Sequence, residues 1–279
     1  MKKIVSMGLA ALFAALMLLP VSCNREKQTL HVMSFNIRNS SANDGENCWE
    51  NRKPAVAAML NTLNPDIVGM QEVLPDQEEY INAECPQYLS FGIGRNDGVE
   101  GERMTVLYNS DILEFLDGGT WWLSETPDVP STGWDAKYPR TATWVLMKDL
   151  RCKRNFYFVN THLDHVGVQA RRNGLAMVMD KIHQMNPSIP LVLMGDFNVE
   201  PGDPCLDDVE MKMSNARTVA DQTDSTPSFN GYNPEPVKII DYIYFTGFEG
   251  ASDFRVVTES YEQRPFISDH YPIISTLIY

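Results

Sequence analysis

The chain has 279 residues and a formal charge of −14 at pH 7, from 37 acidic against 23 basic side chains. That balance disfavours long polyanions, because nonspecific nucleic-acid binding rests on Lys and Arg neutralising phosphates. It leaves small or short phosphate-bearing ligands open, provided a divalent cation supplies the positive charge.

Lys2 and Lys3 precede an apolar run from Ile4 to Val21, and Cys23 follows Pro20, Val21 and Ser22. Residues 1–22 read as a secretory signal. The segment resembles a lipoprotein leader, with Pro20 departing from the usual aliphatic residue. Export is therefore expected, with a lipid on Cys23 tethering the chain to the outer or inner membrane, periplasmic or at the cell surface. A plain signal peptide is the alternative. Losing Lys2 and Lys3, the only charges of that leader, would take the formal charge to −16. Residues 23–29 read as a polar tether and 30–279 as a single domain, expected to be monomeric. Cys48, Cys85, Cys152 and Cys205 are widely spaced without a C-x-x-C, so zinc is not expected, while disulfides and free thiols both stay open.

The elements alternate at first and then run as strands. Residues 30–37 (LHVMSFNI) predict a strand, 51–63 a helix with Ala55, Ala58, Met59 and Leu63 near helical spacing, and 65–73 a second strand. A helix follows at 75–84. YLSFGI, RMTVLY and ILEFL predict short successive strands. Residues 124–139 hold three prolines and predict a long loop, a kind often functional in compact domains. Strands are predicted at 141–149 and 156–163, a helix at 168–185, and a strand in IPLVLMGDF. Strands at 238–245, 253–258 and 271–278 close the chain. Strands in consecutive runs point to packed sheets with helices outside rather than a doubly wound parallel sheet. No glycine-rich phosphate loop follows the first strand.

Acids and carboxamides recur at the strand ends. SFNIR carries Asn36, GMQEV carries Glu72, VNTHLDH carries Asn160, His162, Asp164 and His165, and MGDFN carries Asp196 and Asn198. Asp241 stands within an apolar strand, where an unpaired carboxylate is costly. Asp269 and His270 precede the last strand. Residues at i and i+2 of a strand share a face, so Asp196 with Asn198, and Asn160 with His162, are expected to converge. Each is also an ordinary turn, cap or salt-bridge residue when taken alone. Together they form an oxygen-rich set with imidazoles for proton transfer, which favours Mg²⁺ or Mn²⁺ over Zn²⁺.

This combination, with NTHLDH, GDFN and SDHYP in order over nearly all of the chain beyond the leader, resembles the endonuclease/exonuclease/phosphatase family of the DNase I-like superfamily. Residues 118–144 look like the secreted bacterial branch similar to deadenylase-type exonucleases. The resemblance implies an α/β fold, a four-layer α/β/β/α sandwich of two packed, mostly antiparallel or mixed sheets with outer helices. It implies Mg²⁺-dependent hydrolysis of a phosphoester by an activated water, with a short nucleic acid or small phosphate ester as substrate. On this chain Asn36, Glu72 and Asp269 would hold the metal. Asp196 would orient or deprotonate water, and Asn198 would hold that water or a phosphate oxygen. His270, oriented by Asp241, would donate to the phosphate, and His162 would stabilise developing charge. Asn160, Arg171, Arg172 and Trp134 are the candidates for substrate contact. A phosphodiesterase of nuclease or 3′–5′ exonuclease type is the first expectation. A phosphatase or phospholipase-type enzyme on sugar, inositol or lipid phosphates is the second. A binding lipoprotein that has lost catalysis is the third.

Overall fold

A computed structural model describes residues 27–235 and 237–279. The expected leader, the anchor at Cys23 and most of the tether lie outside the described residues. The strand expected at 30–37 begins a residue earlier, as β1 at Thr29–Asn36.

Among the described residues, twelve strands form two six-stranded sheets. The first has the order β11 (Gly250–Val256), β12 (Ile273–Ile278), β1, β2 (Ile67–Val73), β4 (Arg103–Asn109) and β3 (Tyr88–Phe91). The second has the order β5 (Leu113–Trp122), β6 (Thr141–Asp149), β7 (Arg154–His162), β8 (Leu191–Asp196), β10 (Asp241–Thr246) and β9 (Ser214–Asn215). Each sheet has one parallel pair at its centre, β1 with β2 and β7 with β8, and its other pairs are antiparallel. A parallel pair needs a crossover. Helix α1 (Trp49–Leu63) supplies the first and α3 (Val168–His183) the second. Helix α2 (Pro75–Glu84) follows β2, and the short α4 (Asp207–Lys212) and α5 (Ala216–Val219) connect β8 to β10.

Side-chain alternation produces the four layers. Val32, Ile67, Val145, Phe158, Val192 and Ile273 fill the space between the sheets. On the outside of the first sheet Phe35, Val68 and Leu107 meet Val56, Met59 and Leu60 of α1. On the outside of the second, Val159, Leu193 and Tyr244 meet Leu175, Val178 and Met179 of α3. The architecture is the α/β/β/α sandwich that the strand-rich pattern predicts.

The same alternation aims Asp196. In β8 Val192 and Met194 face the other sheet, while Leu191 and Leu193 face α3. Asp196 inherits the inward parity. A one-residue slip would turn Val192 and Met194 outward. At about 1.5–3 kcal/mol per buried side chain, the core holds the carboxylate in its buried place.

Three boundaries shift by three residues or more from the sequence reading, and several others by one or two. The strand expected from 238 begins at Asp241, because Lys238 pairs in an isolated bridge with Phe229. The strand expected from 253 begins at Gly250, paired to Ile278. The strand expected at 112–116 runs on to Trp122 along β6. The four cysteines beyond Cys23 are free thiols.

Gly195 lies at φ +144°, and a Cβ there would sit 1.8 Å from the Thr161 carbonyl oxygen on β7. That backbone atom cannot move without breaking the parallel pair. Gly195→Ala is therefore expected to destabilise the fold by about 3 kcal/mol or more, read as a lowered midpoint in chemical denaturation. A midpoint within error of the parent would refute this account of the turn.

Candidate active site

The carboxyl ends of β1, β2, β7 and β8 meet at one end of the sandwich, the position where parallel strands leave a crevice for ligands. They open into a cavity of 630 Å³. Asp196 Oδ2 is its hub. Asn36 Nδ2 donates to it at 3.0 Å, His162 Nε2 lies at 3.4 Å, and His270 Nε2 at 3.6 Å. Asn36 comes from the first sheet and Asp196 from the second, so this contact closes the crevice from both sides. His270 Nδ1 pairs with Asp241 Oδ2 at 2.9 Å, and the ring packs edge-on against Phe229.

Asp196 and Asn198 do face one cavity, but not by strand alternation. The strand ends at Asp196, and Asn198 takes a left-handed φ of 54°. Its amide donates to Asp196 Oδ1 at 2.9 Å, and its side-chain Nδ2 donates to the Leu163 carbonyl at 3.0 Å. Arg38 and Glu72, at φ 60° and 64°, share the left-handed conformation. Three non-glycine residues so placed around one cavity mark strain of about 1 kcal/mol or more each, concentrated at the site.

Glu72 stands in a bulge of the β2–β4 pairing, between Met70 and Val73. Asn39 donates to it through its amide and its side chain, and Asn36 Nδ2 donates to the other oxygen. Burial works against its charge, yet these donors and the nearby His270 hold it below the ordinary carboxylate range. Burial raises Asp269, with Glu72 adding to it. Burial, with Asp241 adding, pushes Asp196 up to about 7. Burial would lower His270, but Asp241 and Asp196 outweigh it and push the imidazole up to about 10. His162 is lowered by burial and by Arg140 and Arg95, and stays neutral.

Two groups could hold a divalent cation. Asp196, Asp241 and His270 can bring one ligand atom each within 4.8 Å. There, however, His270 Nδ1 is committed to Asp241, and a protonated ring has no lone pair to offer. Asn36, Glu72 and Asp269 fit better. They offer oxygen donors, as Mg²⁺ and Mn²⁺ prefer, and Glu72 and Asp269 are close enough to repel each other.

Other sequence candidates lie elsewhere. Asn160 shares the face of His162 but stops beneath the floor. Its carboxamide accepts from Gln71 Nε2 and donates to the carbonyls of Met70 and Thr105. It stitches the two sheets and does not reach the cavity. Trp134 is half-buried and away from the cavity, which its loop reaches instead with Lys137, Tyr138 and Arg140. Arg172 is exposed on α3 and lines neither the cavity nor its extension. Arg171 donates to the Asp164 carbonyl and lines an adjoining cavity of 460 Å³.

Several lining residues carry no local signal. Arg38 is held by Asp44, and Arg95 pairs with Glu102. Arg140 contacts Asp164 and His165 Nδ1. Lys137 and Lys238 pair with no carboxylate among the described residues.

His270 is protonated because of Asp241. The stabilisation this pair gives is fully present below pH 6.5 and is lost as pH rises towards about 10. In Asp241→Asn the His270 ring should titrate at or below 6.5, followed by NMR; an unmoved midpoint would count against the pair. Mg²⁺ at about 100 times its dissociation constant should raise Tm by about 5 °C or more, and Glu72→Gln should abolish that rise. An equal rise in Glu72→Gln would place the metal elsewhere.

A model of the endonuclease/exonuclease/phosphatase family matches residues 33–270. A family protein of known structure from Bacteroides vulgatus is 35% identical, with a TM-score of 0.85 over 90% of this chain and 99% of that one. A mannosyl-6-phosphatase from Bacteroides thetaiotaomicron is 32% identical, with a TM-score of 0.85 over 90% of this chain and 100% of that one. A curated protein of Acanthamoeba polyphaga mimivirus, described as uncharacterised, is 27% identical over 165 residues, 54% of this chain and 60% of that protein. This chain thus spans less than two thirds of that relative's length. With the motifs from SFNIR to SDH inside the matched stretch and their side chains gathered about Asp196, the chain belongs to the endonuclease/exonuclease/phosphatase family.

Proposed function

We propose that this protein is a divalent-metal-dependent phosphoesterase that removes a phosphate from a sugar by direct attack of water. The observation that carries the reading is the convergence of Asn36, His162 and His270 on one buried oxygen of Asp196, in a cavity lined by both acids and cations. Its 630 Å³ falls in the usual range of small-molecule sites, about 300–1,000 Å³. The acidic chain disfavours a polyanion, which turns the reading from the nucleic-acid expectation towards a small monoester. The 32% likeness to a mannosyl-6-phosphatase supports a sugar as the alcohol.

The residues divide the work. Asp196, at about 7, is matched to take a proton from an attacking water. Asn198 spends its Nδ2 on Leu163, and its Oδ1 is left to orient that water. Protonated His270 presents Nε2–H to a non-bridging phosphate oxygen while Asp241 fixes its ring. Neutral His162 donates a hydrogen bond without adding charge. A divalent cation on Asn36, Glu72 and Asp269 would supply Lewis-acid charge to the phosphoryl oxygens. Lys137 suits a charge of a terminal phosphate.

With Mg²⁺ present, the protein is expected to release phosphate from mannose 6-phosphate. Asp196→Asn and His270→Ala should each lower kcat by about 10²-fold or more. Faster turnover of bis-p-nitrophenyl phosphate than of the sugar monoester would move the reading to a phosphodiesterase, and no turnover of any phosphoester would end it.

A further inference from the structure

The catalytic cavity does not stop at its own wall. The 460 Å³ cavity beside it shares His165, Asn198, Lys238 and Ile240 with it, so the two form one trough. The extension is built by α3, which supplies Arg171, and by the loop after β8, which supplies Glu200 and Asp203. Arg171 and Lys238 line it with Glu200 and Asp203, yet no ion pair joins them among the described residues. Arg171 gives one N–H to the Asp164 carbonyl and Asp203 Oδ1 accepts from the Cys205 amide, so the other guanidinium N–H groups, the Lys238 ammonium, Asp203 Oδ2 and the Glu200 carboxylate share one small space without pairing with one another.

That chemistry suits a polyol. A hydroxyl both donates and accepts, so adjacent hydroxyls can donate to a carboxylate and accept from an ammonium or guanidinium. A nucleobase needs an aromatic face; no Phe, Tyr or Trp lines the extension, and the imidazole of its His165 is already stacked on Tyr138. The two rings in the catalytic cavity are occupied. Tyr138 lies against Arg95, Lys137 and His165, and Phe229 packs against His270.

We propose that the extension, through Arg171, Glu200, Asp203 and Lys238, binds the next sugar of the substrate, so that the phosphate removed sits on the terminal residue of an oligosaccharide. The inference rests on the sugar-phosphatase reading above. A single phosphorylated hexose would leave the extension to water, while a disaccharide would fill it.

The test compares kcat/KM for mannose 6-phosphate with that for a mannose disaccharide phosphorylated at the 6-position of its non-reducing residue, using the Mg²⁺-loaded protein. The disaccharide is expected to be preferred by about tenfold, the scale of one additional net hydrogen-bonded contact. Glu200→Ala should bring that preference close to unity. Equal kcat/KM for the two sugars, or a preference that Glu200→Ala leaves intact, would overturn this inference while leaving the phosphatase reading standing. Failure on both sugars with turnover of a short dinucleotide would overturn both.

Discussion

One hydrogen bond, from Asn36 Nδ2 to Asp196 Oδ2, spans 160 positions of sequence and joins the two sheets where their parallel strands end. Its donor side chain also reaches Glu72, so Glu72 and the hub share one carboxamide. Neither group could hold this position from its own sheet. The interleaved core between the sheets sets their separation, and the site inherits that setting. Asn160, one layer deeper, repeats the device with Gln71, Met70 and Thr105. Gly69 makes room for it, because a Cβ there would press to 3.0 Å against the Asn160 carboxamide.

The loops around this seam are held by a buried cation that has no carboxylate partner among the described residues. Arg52 is wholly buried on α1, and its guanidinium donates to the carbonyls of Asn47, Ile37, Ile267 and Arg38. Those carbonyls belong to the chain after β1 and to the chain just before Asp269 and His270. An unpaired buried charge is tolerable where hydrogen bonds replace water, and here four carbonyls replace it. Asp164 plays the matching part on the other side. Burial opposes its charge, but the amides of Gly167 and Val166 and the Arg140 guanidinium hold it below the ordinary range. The strain at Arg38, Glu72 and Asn198 is thus offset by contacts outside the cavity.

The layers were legible in the sequence because period-two and helical spacing are local properties. The strand-end acids were legible because each sits beside an apolar run. What was not legible depended on depth and on loops. Asn160 and His162 share a face, yet alternation says nothing of how far along a strand the floor lies. Asn198 reaches the cavity by a left-handed turn, a conformation that Asn tolerates but does not announce. Arg95, Glu102, Lys137, Tyr138 and Lys238 come from irregular chain, where no periodicity fixes direction. Trp134 was the aromatic singled out in the long loop, and its neighbour Tyr138 is the one at the cavity.

The order of strands has a consequence for how the chain is made. The second sheet is drawn wholly from residues 113–246, a continuous stretch that can pair as it emerges. The first is split. β1 lies between β2 and β12, so its antiparallel neighbour is Ile273–Ile278, and the Tyr279 amide closes on the Gln28 carbonyl. The centre of that sheet stays an open edge until Ile273–Ile278 have been synthesised. An unpaired edge is a template for pairing with other chains, and pairing across such a separation is slow. Asp269 and His270 immediately precede that strand. The nascent chain therefore completes its sheet and acquires its chemistry together, and a chain broken off before β12 has neither.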